Sequence, residues 1–112
     1  MPHTKETLKK DGRLTDIVKA LAAEWVQRES NGASMVTITR VLIDDRGQRA
    51  MILFTTLPEK AQPVVEEFLN RQKDDFKQYV YKHSRIGRVP LFTFKIDAGE
   101  KNRQRADELL QA

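Results

Sequence analysis

The residues able to do covalent or acid–base chemistry are few and scattered. His3 and His83 are the two histidines, and there is no cysteine. No disulfide, zinc-thiolate site or thiol nucleophile can therefore be built. Ser30, Ser34 and Ser84 have no base close by in sequence, and a hydroxyl without a paired base is a weak nucleophile. Asp74-Asp75 and Asp44-Asp45 are the carboxylate pairs that invite a metal or acid/base reading. Adjacent residues on a helix diverge by about 100°, so Asp74 and Asp75 do not converge on one ion. Turn chemistry and charge balance account for them. Asp44-Asp45 leads into Arg46-Gly47 and has the composition of a hairpin turn. His83 falls on an apolar helical stripe and is expected to be a partly buried packing residue. No glycine-rich phosphate cradle is present. The sequence thus predicts no catalytic residue, no metal site, no cofactor and no small-molecule substrate.

The basic residues are more informative. The formal net charge is +4 over 112 residues, which favours polyanionic partners because bound phosphates release their counterions. From Arg71 to Lys95 there are seven basic residues and two acidic ones, whereas the remainder holds 13 basic and 14 acidic. The whole excess therefore sits in one segment. Arg71, Lys73, Lys77, Lys82, Arg85 and Arg88 are the phosphate-contact candidates. Lys73 and Lys77 are four apart and share one helix face. Arg40, Arg46 and Arg49, on the hairpin, are further candidates. A solvated helix face would carry a similar pattern.

Those residues must be placed by the surrounding elements. Leu14, Ile17, Val18, Leu21, Ala22, Trp25 and Val26 recur at three- and four-residue spacing and predict a helix. Asn31-Gly32 would stop it. Met1 to Gly12 is polar and is expected to be a flexible N-terminus. Met35 to Ile43 reads as a β-branched strand whose alternation slips midway. Either a bulge near Thr39-Arg40 or a strand covered on both faces would explain the slip. Arg49 to Thr55 forms a second strand, and the short connection makes an antiparallel hairpin.

Leu57-Pro58 ends that strand. A helix follows from Glu59, with Pro63 in its first turn and Val64, Val65, Phe68 and Leu69 as its apolar face. Another helix carries Phe76, Tyr79, Val80 and His83. The two stripes are offset, which places a break between Asn70 and Asp75. Gly87 and Pro90 close the helical pattern, and Leu91 to Ile96 is a third strand with Phe92, Phe94 and Ile96 inward. Within the extension 98–112, Glu100 to Gln111 is expected as a short helix docking Leu109 and Leu110. The five phenylalanines all fall on core stripes, and Tyr81 is the ring expected to point outward. Base stacking is then a minor contributor.

The expected fold is a single α+β domain over residues 1–112, in the order α-β-β-α-α-β. Its three-stranded sheet must be covered by the helices, and a short C-terminal helix follows. This is the layout of KH-like domains of the second type. No apolar run approaches the ~18–20 residues that span a bilayer, and Met1 to Lys10 has no apolar leader core. A cytoplasmic monomer without a membrane partner is expected.

Several motifs carry a resemblance. Val36-Thr37-Ile38-Thr39-Arg40-Val41, then Gln48-Arg49-Ala50, then Arg85-Ile86-Gly87-Arg88-Val89-Pro90 running into Phe92, Phe94 and Asp97, look like ribosome-binding factor A. The similarity extends from about Leu14 to Leu110, and the order and spacing of the motifs are more specific than any one of them. That family has an Ala-x-Gly kink between its two helices, where this chain has Gln72-Lys73-Asp74. An aspartate can adopt the left-handed backbone that a kink of that kind uses. The family's second arginine of "R-L-R" sits one place later here, at Arg88, with Gly87 in its stead.

The resemblance implies a non-catalytic RNA-binding factor for maturation of the small (30S) ribosomal subunit. It would act on 16S rRNA or its precursor, in folding and end processing. Two other readings stay open on sequence grounds. One is a KH-like protein-interaction module, motivated by the missing glycine kink and Asp74-Asp75. The other is a general RNA-binding protein outside ribosome assembly.

Overall fold

The computed structural model describes residues 3–29 and 34–99. The elements run α1 (His3–Glu29), β1 (Met35–Ile43), β2 (Arg49–Leu57), a short 3-10 turn (Glu59–Ala61), α2 (Gln62–Arg71), α3 (Lys73–His83) and β3 (Leu91–Ile96). The expected α-β-β-α-α-β order is present. The closing helix expected over residues 100–111 lies outside the described residues. One boundary is corrected. Helical backbone begins at His3, so α1 starts ahead of the apolar stripe that opens at Leu14. Its Lys and Glu residues are good helix formers, and the glycine cost at Gly12 is only about 1 kcal/mol.

β2 is the centre of a three-stranded sheet ordered β1-β2-β3. β1 pairs with it antiparallel, and β3 pairs with it parallel. A parallel neighbour requires a crossover, and α2 and α3 supply it. In β1 the register shifts between Ile38 and Arg40. That bulge brings Ile38 and Val41 to the same buried face, which resolves the slipped alternation. Leu42 is buried on the opposite face with Met51 and Leu53, in a small separate cluster. Both explanations of the slip therefore hold in part. Thr39, at the bulge, donates its hydroxyl to Asp97 Oδ2 over 2.6 Å, tying β1 to the end of β3 across β2.

The main core lies between the sheet and the helices. Val18, Leu21, Ala22, Trp25 and Val26 of α1 are buried against Ile38, Val41, Ala50, Ile52 and Phe54 of the sheet. Phe76 sits between α1 and β3, with ring centroids 5.1 Å from Trp25, 4.8 Å from Phe92 and 5.7 Å from Phe94. Tilted and edge-on arrangements of this kind add to the apolar burial. Trp25 Nε1–H donates to Asp75 Oδ2 at 3.2 Å, so the one polar atom of the buried indole has a partner.

The α2–α3 break falls at Gln72, inside the expected interval. Its backbone is at φ −99, ψ 12, and no non-glycine residue described has a positive φ. The left-handed kink that Asp74 would have allowed is not used. The turn closes through Gln72 N–H, shared between the carbonyls of Phe68 and Leu69 at 3.1 Å each. A bridge-region residue can make this turn without glycine.

Asp44 organises the β1–β2 turn. Its Oδ1 accepts from the N–H of Gln48 at 2.8 Å and of Arg49 at 3.3 Å. The Arg49 guanidinium lies 3.6 Å from its Oδ2, and Gly47 takes φ 66. Partial burial disfavours the charged carboxyl, but the two backbone N–H donors and Arg49 outweigh it and hold Asp44 below the usual carboxylate range. A depressed folded-state pKa gives stability that is present above the unfolded value and lost as pH falls through the folded one. Asp44→Asn is therefore expected to lower stability at pH 7 by about 1 kcal/mol. The deficit should shrink as pH falls through the carboxylate range, read from urea midpoints of both proteins across pH.

Candidate nucleic-acid interface

Three of the sequence candidates line one groove. Arg71, Lys73, Lys82, Arg85 and Arg88 are exposed and Lys77 is half-buried; Arg40, Arg46 and Arg49 are exposed on the hairpin. A groove of about 380 Å³ collects three of them: Arg49 from the start of β2, and Lys73 and Lys77 from the first turns of α3. Ala50, Met51, Asp74, Leu91, Phe92 and Thr93 complete its lining. Arg49 was a secondary candidate in sequence and joins the lysines because Arg49 pairs in register with Leu91, and α3 packs on β3. Lys82 lies roughly 14 Å from Lys73 and about 8 Å from Lys77 along the α3 axis, at 1.5 Å per residue. It shares the outer end of the helix with Arg85 and Arg88 of the following loop. Arg71 makes a loose, exposed ion pair with Glu67 at 3.9 Å, a contact worth little in solvent.

The acidic pair at the head of α3 has structural work. Asp74 and Asp75 lie in the first helical turn, where the helix dipole favours negative charge, and Asp75 receives the Trp25 indole. Among the described residues no group of three carboxylates or histidines could hold a metal ion. His83 departs from expectation. It is exposed, not packed into the core. Its ring stacks on Tyr79 at 4.0 Å between centroids, and its Nδ1 lies 2.9 Å from the Tyr79 carbonyl oxygen. The stripe places His83 one turn past Val80, the last buried position of α3. Tyr79 in turn donates to Glu24 Oε1 at 2.8 Å, with the Arg28 guanidinium 5.4 Å from its ring centre. Tyr81 points outward as expected, at 65% exposure.

Two residues outside the candidates shape the neighbouring edge. The Asn70 carboxamide bonds the Phe94 peptide twice, donating to its carbonyl and accepting from its N–H, each at 2.8 Å. Glu66 Oε2 accepts from the Ile96 N–H at 3.0 Å. Nothing in the sequence pattern of α2 distinguishes these two from ordinary solvated positions. Asn70→Ala is expected to cost about 1–3 kcal/mol, since it strands both Phe94 groups. Urea unfolding should show a lower midpoint, and the Phe94 amide should exchange faster with solvent.

The model of the ribosome-binding factor A family matches residues 8–110, a span that includes the whole sheet, both crossover helices and the groove. The chain belongs to the ribosome-binding factor A family. The crystal structure of ribosome-binding factor A from Thermus thermophilus is similar at a TM-score of 0.71 and 17% identity, covering 80% of this chain and 99% of that one. The solution structure of the Thermotoga maritima protein TM0855, a putative ribosome binding factor A, is similar at 0.67 and 24% identity, covering 82% and 91%. At these identities the likeness establishes the ribosome-binding factor A fold alone. No curated protein sequence matches this chain directly. Among the described residues no helix is long and apolar enough to cross a membrane.

Proposed function

We propose that this chain is a non-catalytic cytoplasmic factor that binds the small ribosomal subunit through 16S rRNA or its precursor and assists the subunit's maturation. The observation that carries the reading is the convergence of Arg49, Lys73 and Lys77 in one groove of a ribosome-binding factor A family member. Cations gathered from separate elements on a rigid scaffold hold phosphates in a fixed register. Lys82, Arg85 and Arg88 extend the positive surface along the far end of α3 and would meet further backbone. The protein-interaction alternative loses one of its motives, because Asp75 is engaged by Trp25.

The test is co-sedimentation with small subunits, large subunits and assembled ribosomes over a salt series. Selective association with small subunits, strongest for immature ones and falling steeply with salt, is the expected result. Association that ignores salt would point to protein contacts. Free oligonucleotides bound as tightly as subunits would instead point to a general RNA-binding protein.

A further inference from the structure

The main core fills one face of the sheet, yet the middle of the other face is buried too. Strand register sets Leu42, Met51 and Thr93 side by side across that outer face, with Arg40, Leu53 and Lys95 in the next row. Leu53 has no exposed surface, and Met51 and Leu42 keep only 7% and 8%. Among the described residues, none from α1, α2 or α3 belongs to their cluster. The stems of Arg40 and Lys95 can shelter the flanks of Leu53. They do not account for Leu42, which lies on the edge strand β1. Nor do they account for Met51, whose neighbours in its row are Leu42 and the exposed Thr93. At the margins of the same face Met35, Leu57 and Leu91 are between 61% and 67% exposed. Strand neighbours alone therefore leave apolar side chains in solvent on this face, and a cover of limited size is needed over its middle.

The chain that follows β3 has the place, the length and the pattern of such a cover. The Asp97 N–H donates to the Phe54 carbonyl at 2.8 Å, so β3 ends one residue from the level of Leu53. Asp97 Oδ1 accepts from the Gly99 N–H at 3.0 Å, and Gly99 takes φ 99. The chain turns there instead of continuing as a strand. From the level of Phe54 to the row of Met51 is three residues of β2, about 10 Å. Residues 100–112 wound as a helix span about 20 Å. In that segment Ala106, Leu109 and Leu110 recur at i, i+3 and i+4, a single apolar stripe. Asp107 at the border of the stripe suits a rim that carries Arg40 and Lys95.

We propose that residues 100–112 form an amphipathic helix that docks on the outer sheet face, laying Ala106, Leu109 and Leu110 over Leu42, Met51 and Leu53. The domain is then a sheet covered on both faces, with its crossover helices on one side and its C-terminal segment on the other. Met51 and Thr93 also line the groove of Arg49, Lys73 and Lys77, so the docked segment would border that groove. The docking itself needs no RNA and stands or falls separately from the ribosomal reading.

The test is methyl NMR on the full chain, together with oxidation of its methionines by dilute peroxide. Nuclear Overhauser contacts should join the Leu109 and Leu110 methyls to those of Leu42, Met51 and Leu53. Met35 should oxidise readily and Met51 should resist, since oxidation follows exposure. Leu109→Asp with Leu110→Asp should remove those contacts, shift the three sheet methyls and bring the oxidation rate of Met51 close to that of Met35. The Phe94 amide, bonded to Asn70, should stay protected from exchange in the variant and so report an intact core. The contacts in the unmodified protein decide the matter even if the variant unfolds. No contact between the segment and the sheet, or a Met51 that oxidises as fast as Met35 in the unmodified protein, would overturn the docking. A mixture of labelled and unlabelled chains identifies the occupant. Contacts seen only between different chains would mean that a second copy covers the face, and would overturn docking within one chain.

Discussion

Phe76→Ala is expected to destabilise the protein by about 3–5 kcal/mol, the usual cost of deleting a fully buried aromatic ring. Phe76 has no exposed surface and touches rings from α1 and β3. It links α3 to both. The void would open between Trp25, Phe92 and Phe94, three side chains too constrained by their own strands and helix to collapse into it. A domain of this size has a total stability of about 5–15 kcal/mol, so the variant should remain folded only in the cold or with little margin. Urea unfolding followed by Trp25 fluorescence reads the effect directly, as a lowered midpoint with an unchanged slope. A loss under about 1 kcal/mol would mean that the ring cluster is not what organises the core. Trp25→Phe keeps most of the apolar volume and removes the bond to Asp75, so its cost should be nearer 1 kcal/mol.

The fold was largely legible because its signals are local. Helix α1 announces itself by seven apolar residues at helical spacing, and five of them are buried. Strands β1 and β3 have the bounds that their composition suggests, and the slipped parity of Val36-Ile38 and Val41-Ile43 located the bulge. The misplaced features depend on what lies across the fold. His83 has the right spacing for a core face, but it is the last residue of α3 and is exposed. The start of α1 was missed because its first turns carry no apolar stripe, and propensity without burial is a weak signal. The turn at Gln72 needed no left-handed residue, because its N–H is shared by two carbonyls of the preceding turn. The groove was legible only in half. Lys73 and Lys77 follow from spacing along one helix, whereas Arg49 joins them through the parallel register of β2 and β3, which a hairpin-based reading does not supply. Asn70 and Glu66 acquire their roles from an edge that exists only once β3 has docked.

Reversing both groove lysines, Lys73→Glu with Lys77→Glu, is expected to remove most of the binding to small subunits. Each lysine that neutralises a phosphate adds about one to the dependence of log affinity on log salt. The double variant should therefore flatten that slope by at least about two, and lower affinity more than roughly tenfold at low salt. The fold should survive. Lys73 is the first residue of α3, where a glutamate is favoured by the helix dipole, and neither lysine belongs to the apolar core. A matched control reverses Lys19 and Lys60, both exposed and both outside the groove. It changes the net charge by the same amount, so it carries any effect of overall charge on encounter. If the control weakens binding as much as the groove variant, affinity comes from net charge and the groove has no special part. If the control binds nearly as the unmodified protein does while the groove variant fails, the position of the charges matters and not their number. The far end of α3 can then be ranked in the same assay by Lys82→Glu with Arg85→Glu. A smaller loss there would make the groove the primary anchor and the helix end an auxiliary contact, as expected if phosphates are held most firmly where three cations converge on a rigid sheet edge.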